Sequence, residues 1–495
     1  MSSTHKFMEL DFPGTLFPLK TNLILAQSSS ADLEAYIYGR VLNEASKGDS
    51  FLPQQKVFAT KPKDHLRRTV KLDPVAEYFV YDVVYRNRTV FRRQVGPTRQ
   101  SFGYRFENGK RIPVHLAYRE YKKTLQALAL AYSHSIQFDI ASYFNSIYHH
   151  DLCHWFAAVD GVSEDDSAAV NQFFREISSG RSIDVLPQGI YPCKMIGNEY
   201  LKYIDLSKEL RSAHIVRFMD DFTIFDNDAD ILRQDFVRIQ QLLGRRALNI
   251  NPAKTHHDNK VGDVQETLTE IRANLFEIVT DYEEVATASG VDLIETAVEI
   301  ENRLDSTQVD ALVGLLQHES LEESDADLIL GFLRTHSSSL LELLPYLLSR
   351  FPNLIKHIYS VCADVNDRSA LAESLLRFLN DDESLLEYQL FWLCAIAEDF
   401  LSETARYGDL LMKIYDLSAD FRIARAKVLE VPEQGHGLKE LRDERLKTGQ
   451  SDWLSWSSAV GTRSLNKAER NYSLTYFSKS SPMNYLVGTA IRGLP

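Results

Sequence analysis

The chain has 495 residues, 44% of them hydrophobic and 11% aromatic, enough to bury substantial cores and to exclude wholesale disorder. Its formal net charge is −14, and its four cysteines lie far apart with no CxxC pair, which argues against a zinc knuckle or a disulfide framework. No apolar run approaches the roughly 20 residues that span a bilayer, and MSSTHKFMELDF lacks a signal-peptide pattern. The expectation is a soluble, cytoplasmic protein of two or three domains.

The average charge conceals an asymmetry. Between Lys56 and Lys123, 17 Lys and Arg stand against 6 Asp and Glu. A basic segment in an acidic protein suggests a local polyanion-binding face, with a solvated charged surface as the plainer alternative.

Taken in chain order, the first 55 residues hold an expected helix over 31–44 and a polar connection, SKGDS. In the basic segment aromatics interleave with arginines, EYFVYDVVYRNRTVFRRQ and then SFGYRFENGKRIP. Rings can stack on bases while guanidinium groups meet phosphates. Asn108-Gly109 signals a hairpin turn, and a helix is expected over 119–131. SIQFDIASYFNSIYHHDLCHWF reads as a strand running into a helix. It places Asp139 in an apolar stretch, where a carboxylate needs a partner, a cation or strong hydrogen bonds. Residues 161–185 are polar and helical before a loop, and LPQG marks a turn into a helix over 193–206. HIVRFMDDFTIF, at 214–225, reads as two antiparallel strands with Asp220-Asp221 at their tight connection. Adjacent carboxylates repel unless a hard divalent cation neutralises them; an ordinary acidic turn is the alternative. A helix over 230–246 follows, then a strand and turn in LNINPAKTHH.

From about 264 the character changes. Leu-rich, acidic amphipathic helices are expected over 265–279, 291–304, 308–317, 326–334, 340–348, 369–379, 385–400, 403–415 and 420–429. Their spacing suggests stacked pairs of the HEAT or armadillo kind, or a plain bundle. Aromatic and basic character returns from Ser451, in a segment expected to turn back toward the nucleic-acid side. The expected divisions are an N-terminal helical extension at 1–55, a domain at 56–260, the helical array at 261–450 and a C-terminal segment at 451–495.

FDIASYF, LPQG, FMDD and LNINPAKT, in that order, resemble the palm of reverse transcriptases of the group II intron and retron kind. CKMIGNEYLKYID also follows the helix pattern of those enzymes. The resemblance covers about 56–257. It implies an α+β right-hand fold of fingers and palm, followed here by an all-α HEAT-like domain, and RNA-directed DNA polymerisation from dNTPs. It further implies two Mg2+ ions, with Mn2+ as a substitute, held by Asp139, Asp220, Asp221 and the Ile140 carbonyl. By the same resemblance Phe144 contacts the sugar and disfavours a 2′-hydroxyl, with Tyr143 able to exchange roles with it. Gln188 and Gly189 support the template–nucleotide pair, Lys254 protonates pyrophosphate, and Arg111, or more weakly Arg105, clamps the triphosphate. Two residues depart from the pattern: Phe218 replaces the Tyr of the YxDD box, and Cys193 replaces a Ser. Neither removes a carboxylate.

An acidic helical half stands where a group II intron protein would carry a basic maturase segment. In this the chain resembles the abortive-infection and other defence-associated reverse transcriptases of bacteria. That resemblance implies antiphage defence, a homo-oligomer, an RNA template or partner non-coding RNA, and a DNA product. In several such enzymes a protein hydroxyl primes synthesis; Tyr472, Tyr476, Tyr485, Tyr36 and Tyr38 are the candidates among 23 tyrosines. The competing readings are a non-catalytic RNA-binding scaffold and an enzyme of terminal-transferase or RNA-polymerase type.

Overall fold

The computed structural model describes residues 3–257 and 306–495, apart from 44, 46–47, 62–64, 93–95, 319–320, 322 and 382–383. The helices expected over 265–279 and 291–304 lie outside the described residues. Contacts divide the chain into two compact units, one of Met1–Asp49, Gln54–Tyr78 and Arg303–Pro495, the other of Ser50–Pro53 and Phe79–Asn302.

In the first unit, helices two apart in the chain pack on each other. Leu344–Arg350 meets Arg368–Asp381, and Ile355–Ala363 meets Glu387–Phe400. Glu387–Phe400 meets Arg422–Glu430, which in turn meets Trp453–Gly461. Such alternate packing is how HEAT-like helix pairs share a continuous core. Glu387–Phe400 is its axis, buried without interruption from Glu387 to Ala397, as an all-round apolar helix must be.

This unit also contains the N-terminal helices and a hairpin of β1 (Gln55–Thr60) and β2 (Leu66–Lys71). The boundary expected after residue 55 is therefore displaced, and the hairpin does not belong with the domain that follows. The reason is non-local. Buried Glu430 accepts hydrogen bonds from the backbone N–H groups of Lys20 (3.0 Å) and Thr21 (2.9 Å), capping the helix Lys20–Ser28. Trp392 Nε1 donates to the Leu16 carbonyl at 3.2 Å, and Thr60 Oγ1 to the Pro352 carbonyl at 3.1 Å. Residues from Ser451 onward also join this unit, as helices Trp453–Gly461, Lys467–Phe477 and Pro482–Arg492. The first and last of them pack on Lys20–Ser28. Tyr472, Tyr476 and Tyr485 thus sit on folded helices and not in a loose polar tail. The helix expected over 31–44 runs as Ser30–Tyr36 and then widens into a π-helical turn, Ile37–Val41.

The second unit is built on a five-stranded sheet. Its strands in chain order are β3 (Arg99–Phe102), β6 (His134–Asp139), β7 (His214–Phe218), β8 (Asp221–Asp226) and β9 (His256–His257). A separate hairpin of β4 (Phe106–Glu107) and β5 (Lys110–Arg111) lies between β3 and β6 in the chain. The spatial order is β3-β7-β8-β6-β9, with β3 parallel to β7 and every other pair antiparallel. β7 and β8 are β-branched and aromatic, and their interiors are buried on both faces. Phe138 and Phe222 face each other across β6–β8 and stack at 5.3 Å. The helix Ala229–Gly244 packs on β6 and β8, its N-terminus capped by the Asp228 carboxylate.

The β4–β5 turn places Asn108 at φ 50° and Gly109 at φ 76°, the left-handed pair that a two-residue hairpin needs. The helix expected over 119–131 starts at Val114, after Pro113, and the one expected over 193–206 divides into Tyr191–Tyr200 and Lys202–Asp205. The basic segment is shared between the units, and part of its charge is core. Lys71 pairs with Glu77 at 2.8 Å, and Arg67 and Arg105 are buried. Arg99 donates to the carbonyls of Leu210 and Ser212, so it fastens the approach to β7.

Candidate active site

The β7–β8 connection is as tight as the sequence suggests. Only Met219 and Asp220 separate the strands, and Met219 takes φ +58°, a left-handed conformation that costs a non-glycine residue about 1–3 kcal/mol. Asp221, the first residue of β8, lies opposite Asp139, the last residue of β6. Asp139 and Asp220 are both buried. A backbone bridge between Ile140 and Ile250 continues past Asp139. Its hydrogen bonds run from Ala141 N to Asn249 O (2.8 Å) and from Asn251 N to Asp139 O (2.9 Å), and leave the Ile140 carbonyl out of the bridge.

That bridge brings Lys254 to the aspartates. Its half-exposed ammonium donates to Asp139 Oδ2 at 2.9 Å. The other oxygen, Asp139 Oδ1, is buried and accepts no hydrogen bond. Such an oxygen is costly unless a cation meets it. Asp221 carries the same message: burial, then repulsion from Asp220 and Asp139, pushes its acid up to about 8, against the pull of Lys254 and Lys122. Among the described residues, no three His, Cys, Asp or Glu side chains converge closely enough, as they stand, to hold a metal ion. The donor set nevertheless fits a divalent cation, with one orphaned carboxylate oxygen and mutually repelling acids within interaction range.

A stability measurement follows from Asp221. Its folded-state value lies above the ordinary 3.8, so the neutral acid favours folding at low pH, and that contribution fades as pH rises from about 4 to about 8. In EDTA the melting temperature is expected to fall across that window, and saturating Mg2+ to remove the slope. Identical profiles with and without Mg2+ in scanning fluorimetry would mean that no cation binds these carboxylates.

The remaining expected residues each have a defined local setting. Phe144 is buried in the short helix Tyr143–Ser146, its ring 5.5 Å from that of Tyr143. Tyr143 donates its hydroxyl to the Gly197 carbonyl at 2.6 Å, which commits it to the helix Tyr191–Tyr200. Gln188 and Gly189 form the turn before that helix, with Gly189 at φ +112°, where a side chain would be strained. Arg111 lies 5.2 Å over the Tyr191 ring and lines a cavity of about 480 Å³ with Glu107, Lys110, Ile112, Pro113 and Glu120. Arg105 is buried and pairs with Glu120 at 3.0 Å, while its Nε and Nη1 have no hydrogen-bond partner. The structure therefore gathers Asp139, Asp220, Asp221 and Lys254, and places Arg111 in a cavity that none of the aspartates lines.

Both departures from the family pattern have a local explanation or a mild one. Phe218 is fully buried among Tyr104, Tyr118 and Tyr121, with centroids at 6.2, 5.2 and 5.6 Å. A ring suits that setting without a hydroxyl. Cys193 is buried in the helix Tyr191–Tyr200. Sequence reading missed Lys122, one helix away in the chain yet close enough to pull on Asp221. It also missed Arg217, whose signal was an arginine inside the apolar run HIVRF.

Residues 94–267 match the family model described as Reverse transcriptase (RNA-dependent DNA polymerase). A search of curated proteins finds no match. Among solved structures, the apo telomerase of Candida tropicalis aligns at 13% identity with TM-score 0.33, over 80% of this chain and 71% of that one. The telomerase of Candida albicans in complex with a TWJ fragment of telomeric RNA aligns at 12% identity with TM-score 0.30, over 75% and 62%. At those scores neither bears on this chain's partners. The family match spans the sheet, the β7–β8 turn and all four gathered side chains: this stretch is a reverse-transcriptase domain, that of an RNA-directed DNA polymerase.

Proposed function

We propose that this chain copies an RNA template or partner non-coding RNA into DNA by two-metal catalysis, and serves antiphage defence as a homo-oligomer. The observation that carries the chemistry is the register of β6 against β8, which sets Asp139 opposite Asp221 with Asp220 in the adjoining turn and Lys254 on Asp139. Asp139, Asp220, Asp221 and the Ile140 carbonyl would hold the ions, which supply activation of the attacking oxygen and charge neutralisation on the triphosphate. Lys254, already an ammonium donor at the site, protonates the leaving pyrophosphate. Phe144 disfavours a 2′-hydroxyl, since the Tyr143 hydroxyl is committed elsewhere. Gln188 and Gly189 back the template–nucleotide pair, and Arg111 receives the triphosphate.

The defence role is supported by the acidic helix stack that occupies the place of a basic maturase segment. Protein priming belongs to the same reading. Tyr472 is 83% exposed and is the most accessible candidate, ahead of Tyr485 (59%), Tyr476 (58%) and Tyr38 (37%). Tyr36 bonds Asp49 at 3.3 Å and is the least available. No helix among the described residues is long and apolar enough to cross a membrane.

The test is to sequence nucleic acid copurified with the wild type and with an Asp220→Ala, Asp221→Ala double variant. DNA with the wild type alone supports the polymerase, and equal DNA in both overturns it. DNA that stays on denatured wild-type protein and is lost on Tyr472→Phe supports priming at that residue. DNA released whole on denaturation rules priming out.

A further inference from the structure

Arg217 lies on β7, three residues before Asp220, and is wholly buried. A guanidinium there must place its donors on acceptors, and it does. Nε and Nη2 donate to Asp205 at 2.9 and 2.7 Å, and Nη2 also to the Asn198 carbonyl at 2.9 Å. Nη1 donates to Asn198 Oδ1 at 2.9 Å and to the Met219 carbonyl at 3.1 Å. That last bond reaches the one residue of the turn held at positive φ. The Met219 side chain runs beside Gly103 and Gly197, where a Cβ would stand in ordinary van der Waals contact, 3.5 Å from its Cγ and 3.6 Å from its Cε.

We propose that Arg217, oriented by Asp205 and Asn198, is a positioning residue for the metal-binding turn. It fixes the Met219 carbonyl, and through it the backbone that delivers Asp220 and Asp221. The inference rests on the polymerase reading of the site. Its signature is weaker cation affinity together with, at saturating cation, a loss of turnover without loss of nucleotide binding, because the residue acts on the carboxylates and touches no substrate.

Two variants test it in the full chain, with primer extension for kcat and KM, and Mn2+ binding by electron paramagnetic resonance. Arg217→Lys keeps a charge for Asp205, but one ammonium cannot fork to Asn198 and Met219 together. Expected are a kcat lower by about 100-fold, a dNTP KM unchanged within about threefold, and Mn2+ affinity weaker by about tenfold. Asn198→Ala spares the Arg217–Asp205 pair and so guards against misfolding; about tenfold losses in the same two quantities are expected. Folded variants with wild-type kcat and Mn2+ affinity, even at reduced melting temperature, would overturn the proposal. An Asp220→Ala control separates the two levels. Synthesis surviving in that control defeats the polymerase reading, while the Mn2+ titration of the Arg217 and Asn198 variants still decides the positioning role.

Discussion

Alanine at Asp220 or at Asp139 is expected to lower DNA synthesis by a factor of about 1,000 or more, equivalent to about 4 kcal/mol of transition-state stabilisation. The fold should survive both changes. Asp220 contributes repulsion to Asp221, so its removal relieves strain in the metal-free protein. Asp139→Ala strands Lys254, but that side chain is 48% exposed and water can solvate it. Primer extension with circular dichroism reads both expectations. A folded Asp220→Ala variant that polymerised at the wild-type rate would remove these carboxylates from the chemistry. Phage protection by an inactive, folded variant would instead favour an RNA-binding scaffold.

The second large effect lies in the helical unit and concerns stability. Lys427 is 2% exposed and pairs with Glu398 at 2.6 Å and Glu430 at 2.9 Å, themselves 4% and 0% exposed. Lys427→Met keeps most of the volume and removes the cation, leaving buried carboxylates short of a partner. A cost of about 3–5 kcal/mol is expected, read as a lower midpoint in urea. A change below about 1 kcal/mol would mean that water reaches the cluster. Burial alone would raise the Glu398 acid, but Lys427 and Lys20 outweigh it and hold it down at about 2. That value lies below the ordinary 4.5, so the group's contribution is complete above 4.5 and is lost as pH falls toward 2. Wild-type acid unfolding should lie partly in that window, and the variant's should begin at higher pH.

What the sequence made legible was local or chemically loud. Apolar, β-rich runs on either side of Asp220-Asp221 announced β7 and β8, and Asn108-Gly109 announced its turn, because each depends on neighbours a few residues away. Asp139 stood out as a carboxylate in an apolar strand. Lys254 was placed at the site by motif order, yet its bond to Asp139 joins residues 115 apart and has no local trace. The N-terminal helices illustrate the opposite limit. Nothing in residues 1–71 hints that their caps and packing partners lie beyond residue 350. Arg217 was legible in principle, since an arginine in HIVRF must find buried acceptors, but only the fold shows that one of them is the Met219 carbonyl. Charge counting erred for a related reason: Lys71, Arg67 and Arg105 contribute to the positive sum and not to the exposed surface.

The cap that Glu430 places on Lys20–Ser28 joins residues 409 apart, which has a consequence for biogenesis. Chains grow on the ribosome at about 5–20 residues per second, so the helix emerges on the order of a minute before its acceptor exists. The segment between can complete the polymerase sheet in that interval, since among the described residues β3 to β9 pair only among themselves. The helical unit cannot close until the C-terminal helices follow. Until then an apolar N-terminal surface waits uncovered, a natural client for a holding chaperone. Nonsense truncations downstream of the polymerase domain should therefore yield insoluble protein more often than a shortened but active enzyme.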